Sequence, residues 1–124
     1  MRETDRGRLF FMVDAAAFAV GGLAWHNWSE LRLGFFAWEN WAPAAVTTAL
    51  LLAWIFTGAR PVAGAIMGVQ IVHVLAAIVT VLPLPFLPFA PEQDWQHYAT
   101  HFVYGVLQLP LFAMARSAYR RSAA

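Results

Sequence analysis

Apolar positions gather into four stretches, residues 9–27, 42–58, 61–82 and 97–115, separated by polar or proline-rich segments. A helix crosses the hydrocarbon core of a bilayer with about 20 mostly apolar residues, within a range of roughly 17 to 25. The third stretch meets that length alone, and the others are convincing as a set. The pattern predicts an all-α integral membrane protein, a four-helix bundle forming one domain.

Local signals refine the elements. Pro43 and Pro61 suit the first turn of a helix. Thr57 to Pro61 reads as a tight turn. Four prolines between Pro83 and Pro91 preclude a regular helix in that connector. Glu92 and Asp94 follow, favourable charges where the fourth helix begins. Pro110 predicts a kink inside that helix. In the first connector, Leu31, Phe35 and Trp38 repeat at four and three after a candidate N-cap, Ser29. This predicts a short amphipathic helix lying in the membrane interface.

Arginine placement sets the expected orientation. Arg2, Arg6, Arg8, Arg60, Arg116, Arg120 and Arg121 fall on one side of a four-span layout, and only Arg32 falls on the other. Basic residues favour the cytoplasmic side, so both termini are expected there. Trp25, Trp28, Trp38, Trp41 and Trp95 collect at the outer boundary, as an interfacial aromatic belt does. The N-terminus has the outline of a signal peptide, but Asp14 interrupts its apolar run, so a retained anchor is expected.

Composition agrees with the pattern. Charged residues make up 12% of the chain, against about 25% in soluble domains. A net charge of +1 argues against a nucleic-acid partner. The absence of cysteine excludes disulfides and thiolate chemistry. All eight basic residues are Arg. That usage points to a bacterial inner membrane and a GC-rich genome. So short a chain buries little surface, which favours a homo-oligomer or a larger membrane complex.

Candidate chemistry sits on the last stretch. His97, His101, Tyr104 and Gln108 are spaced four, three and four apart, so on a helix they share one face. Polar groups in a membrane segment usually face a protein interior or a cavity. Estimated from helical rise, Gln70 and His73 of the third stretch lie at matching depths. Gln70, His73, His101, Tyr104 and Gln108 are therefore expected to form a polar seam between the third and fourth helices.

Several uses of that seam stand side by side. The preferred one is a pocket for a lipophilic ligand or cofactor with one polar end. A membrane enzyme is the alternative, either metal-dependent or using His73 and Tyr104 as acid and base. A metal site would draw on His26, Glu30, His97 and His101, with Glu39 and Asp94 nearby; His97 and His101, and likewise His26 and Glu30 if helical, stand at i, i+4 spacing. Haem would need His73 and His101 on facing helices. The plainest use is helix-to-helix hydrogen bonding, worth about 0.6 kcal/mol per group.

Asp14 lies about 9 Å inside the cytoplasmic boundary. It is the candidate for proton coupling in a small transporter, or for a structural pair with Arg116. Ala17 and Gly21 on its side of the helix would admit a neighbouring helix, and Gly64 and Gly68 form a GxxxG pair with the same capacity. No internal repeat is present. In size and layout the chain resembles the DoxX-like proteins and the small multidrug transporters. The signature carboxylate of the latter is a Glu in span one, where this chain has Asp14. No motif carries residues over from either.

Overall fold

The computed structural model of the chain describes residues 3–34, 36–88 and 90–121, with residues 3–6 described by backbone alone. It is all-helical: α1 (Glu3–Leu31), α2 (Trp38–Thr57), α3 (Arg60–Val79) and α4 (Trp95–Arg121). Each helix packs against two others, in the cyclic order α1, α2, α3, α4. The diagonal pairs do not touch among the described residues. The contacts joining α4 to α1 and to α3 run in opposite senses along the two helices of each pair, so α4 is antiparallel to both.

Three helices, α1 from Gly7, α2 and α3, are long and apolar enough to cross a membrane. Their outward surfaces carry large exposed side chains such as Phe10, Phe18, Phe56, Val72 and Leu75. The fourth expected span forms a helix but falls short of that measure among the described residues. Its inward face spends positions on His97, Thr100, His101, Tyr104 and Gln108, and its end carries Arg116, Arg120 and Arg121.

The ends of the helices depart from expectation in one important place. No separate amphipathic helix forms between His26 and Trp41. Instead α1 continues through His26 and Glu30 to Leu31, and α2 already begins at Trp38. Ser29 caps nothing; its hydroxyl donates back to the carbonyl of His26 at 3.2 Å. Phe35, part of that expected helix, lies outside the described residues. Pro43 sits inside α2 rather than in its first turn, whereas Pro61 opens α3. Gly58 closes α2 at φ 59°, a left-handed conformation that costs glycine little. Asp94 caps α4: its Oδ1 accepts from the backbone N–H of His97 at 2.8 Å. The proline-rich connector is non-helical, and α4 runs unbroken past Pro110.

Small residues set the approach of the helices. Met12, Ala15, Ala16 and Ala19 of α1 pack with Leu51, Ile66, Leu111 and Ala115 in the main core. This is not the face marked by Ala17 and Gly21, which are both exposed. The close contact falls one position on: a Cβ on Gly22 would stand 2.8 Å from Cδ1 of Leu107. On the other side of α4, a Cβ on Gly105 would meet Cβ of Ala77 at 3.4 Å. The GxxxG pair does not act as a unit. Gly64 faces the Tyr119 ring, while nothing lies within 4 Å of a Cβ built on Gly68.

Candidate functional site

The polar side chains concentrate where α1 ends and α4 begins. His97 and His101 occupy successive turns of one face of α4, and His26 and Glu30 do the same on α1. The extra turns of α1 bring these two rows together. His97 Nδ1 lies 2.7 Å from Glu30 Oε2. His101 Nε2 lies 3.1 Å from His26 Nε2. The rings follow one another along the row: His97 and His101 are tilted by 56° with centroids 4.4 Å apart, and His101 and His26 meet edge to face at 87° with centroids 4.5 Å apart. His26 and His101 are buried, at 9% and 4% exposure.

Backbone carbonyls fix how these imidazoles are protonated. A carbonyl oxygen only accepts, so whatever faces it must donate. Asn40 Nδ2 donates to the carbonyl of Gly34 at 3.0 Å, which leaves Asn40 Oδ1 to accept. Asn27 Nδ2 donates to that Oδ1 at 2.9 Å and to the carbonyl of Glu39 at 3.3 Å. Asn27 Oδ1 is then the acceptor for His26 Nδ1, 3.0 Å away. On the far side, His101 Nδ1 donates to the carbonyl of Ala77 at 3.1 Å. Both rings therefore carry their hydrogen on Nδ1. In their neutral forms they turn two bare Nε2 lone pairs toward each other.

Beyond this row the expected seam divides. Tyr104 and His73 meet across α4 and α3, with the hydroxyl 2.8 Å from His73 Nδ1. Gln108 turns to α1 instead, donating to the carbonyl of Ala19 at 3.1 Å and to that of Tyr104 at 3.2 Å. Gln70 is 1% exposed, and its Oε1 has no partner among the described residues. A space of about 10 Å³ bordered by Thr47, His73 and Gln108 has room for one water. Asp14 is half-buried and stands apart, twelve residues or about 18 Å along α1 from His26. No hydrogen bond or ion pair joins it to Arg116 or to another described residue.

Two larger cavities meet at His101. One is an apolar groove of about 330 Å³ between α3 and α4, lined by residues including Val74, Ile78, Phe102 and Val106. The other, about 440 Å³, lies at the end of the bundle among Glu30, Thr80, Pro91, Glu92 and His97. His101 lines both. Gln70, His73, Tyr104 and Gln108 line neither.

No group of three or more His, Asp or Glu side chains is arranged to hold a metal ion among the described residues. The expected set of His26, Glu30, His97 and His101 is thus assembled as neighbours, and only its His26–His101 pair has two ring nitrogens facing one another. Of the two histidines expected for haem, His101 turns its Nε2 to His26 and His73 turns its Nδ1 to Tyr104. Sequence reading missed Asn27 and Asn40. Each lies in a polar pair flanked by tryptophans, Trp25-His26-Asn27-Trp28 and Trp38-Glu39-Asn40-Trp41.

Comparison with models of known protein families, with curated proteins and with solved structures finds no match to this chain.

Proposed function

We propose that this chain is a small polytopic protein of a bacterial inner membrane, with both termini cytoplasmic, that holds a lipophilic molecule bearing one polar end. The observation that carries this reading is the position of His101, which lines both the apolar groove and the polar end cavity. A hydrocarbon tail suits the groove, whose lining is apolar and open to lipid, and packing against Val74, Ile78, Phe102 and Val106 holds it there. A carbonyl, hydroxyl or similar head suits the cavity, beside His101, His97 and Glu30. Both volumes fall in the range common for small-molecule sites. The arginine distribution supports this orientation, in which the cavity lies on the outer side. The α4 row is then reached from the lipid and from the outer water at once.

Ile78 lines the groove and is 53% exposed, so filling the groove there leaves the core undisturbed. The detergent-purified protein is titrated with a decyl-substituted benzoquinone, and retained molecules are read by native mass spectrometry. The expected result is one probe per chain, with binding weakened at least about tenfold in Ile78→Trp (about 1.4 kcal/mol). Equal binding by the two proteins, or no binding by either, ends this reading.

A further inference from the structure

Two bare imidazole nitrogens 3.1 Å apart in a buried site repel unless a cation lies between them. We propose that the cation is a divalent transition metal of the zinc class, held by His26 Nε2 and His101 Nε2, with His97 Nε2 as a third donor. The proposal is independent of the lipophilic ligand. Its basis is the pair of backbone-anchored tautomers together with the pair distance.

The distance suits a shared ion. Zinc–nitrogen bonds are about 2.0–2.1 Å long, so two such bonds with nitrogens 3.1 Å apart subtend about 95–102°. That lies near the tetrahedral value. The hydrogen bonds on the far side of each ring are those a metal-bound imidazole uses: the other ring nitrogen donates to a carbonyl or carboxylate, which fixes the ring and raises its basicity. His101 donates to the carbonyl of Ala77, His26 to Asn27 Oδ1 and His97 to Glu30 Oε2. All three therefore present Nε2 as the free donor.

His97 supplies the second observation. Its side chain is 11% exposed, and its Nε2 is buried without a hydrogen-bond partner among the described residues. A buried lone pair with nothing to accept is costly. His97 stands one helical turn from His101 on the same face, with ring centroids 4.4 Å apart. Its nitrogen has to swing toward the pair to join it, since the three donors do not yet converge. Three neutral imidazoles select zinc, copper, nickel or cobalt over magnesium and calcium, which prefer oxygen. The remaining coordination position would face the end cavity, because His97 and His101 both line it. Glu30 is a positioning residue, acting through His97.

The test uses the full chain in detergent, stripped with a chelator and titrated with zinc alone against a competing chromophoric chelator. Cobalt(II) serves as the spectroscopic probe of a nitrogen-ligated, four-coordinate site. The expected result is one zinc per chain. His26→Ala and His101→Ala should abolish it, and Glu30→Gln should weaken it about 10- to 100-fold. His101→Gln, which keeps a donor for the carbonyl of Ala77, guards against loss of fold and should also lose the metal while circular dichroism is unchanged. Wild-type protein that takes up no stoichiometric zinc overturns the proposal, and a shared proton then accounts for the pair. Stoichiometric zinc retained in His101→Gln overturns it as well. Unchanged affinity in His97→Ala removes His97 from the ligand set.

Discussion

Glu30 and His97, sixty-seven residues apart, meet through Oε2 and Nδ1 at 2.7 Å, and both side chains are about nine-tenths buried. This contact ties the last turn of α1 to the first turn of α4. A hydrogen bond to a carboxylate is about twice as strong as one between neutral groups. Glu30→Gln keeps the shape and loses the charge, so a cost of about 1 kcal/mol is expected. Glu30→Leu also strands the His97 donor and should cost about 2–3 kcal/mol. Unfolding by SDS in mixed micelles measures both, and two variants indistinguishable from wild type would show that the contact does not form.

Adjacent glycines of α1 should respond in opposite directions. Gly21 has nothing within 4 Å of an added Cβ, so Gly21→Ala relieves helix-interior entropy and should stabilise by up to about 1 kcal/mol. Gly22 lies under Leu107, and Gly22→Val should push α1 from α4 at a cost of about 1–3 kcal/mol. The same unfolding assay checks the pair. Similar effects at both positions would mean that α1 is rotated from the orientation described.

Gln70 separates a ligand site from a structural one. It is almost wholly buried, its Oε1 is unpartnered among the described residues, and it lines neither larger cavity. Replacing an unsatisfied amide by a group of similar size is neutral or favourable. Gln70→Leu is therefore expected to match or exceed wild-type stability by about 1 kcal/mol and to leave probe binding unchanged. A tenfold loss of benzoquinone binding would place Gln70 in the site after all.

The inward face of α4 was legible in the sequence because helical period is a local property. His97, His101, Tyr104 and Gln108 all turn to the interior, as their spacing requires. Their partners were not legible. Helical rise estimates depth along an axis but carries no information on which neighbour a side chain faces. Depth matching chose α3 for His101, Tyr104 and Gln108, and His97 and His101 were joined to His26 and Glu30 only as a candidate metal set, yet α4 lies between α1 and α3. Tyr104 reaches the expected His73, His101 bridges α1 and α3 through His26 and the carbonyl of Ala77, and His97 and Gln108 contact α1. The Trp-rich stretch from Trp25 to Trp41 added to this. Its aromatic residues suggested an interface, which hid the fact that α1 stays helical long enough to supply His26 and Glu30. The two asparagines illustrate a further limit: each matters for the atom it leaves free in a chain of hydrogen bonds that begins at the carbonyl of Gly34.

Of the four helices, α4 is synthesised last, and it alone falls short of the apolar composition needed to cross a membrane unaided. Its polar edge meets α1 and α3, and its seven buried residues include Thr100, His101, Tyr104 and Gln108. Entry of such a segment into lipid depends on surfaces already waiting there. On the membrane reading, the helix that the bilayer accepts least readily emerges after α1, α2 and α3, when its hosts are in place. Assembly of the histidine row then waits for α4 to dock, so a chain arrested before that step carries half of each pair and none of the chemistry.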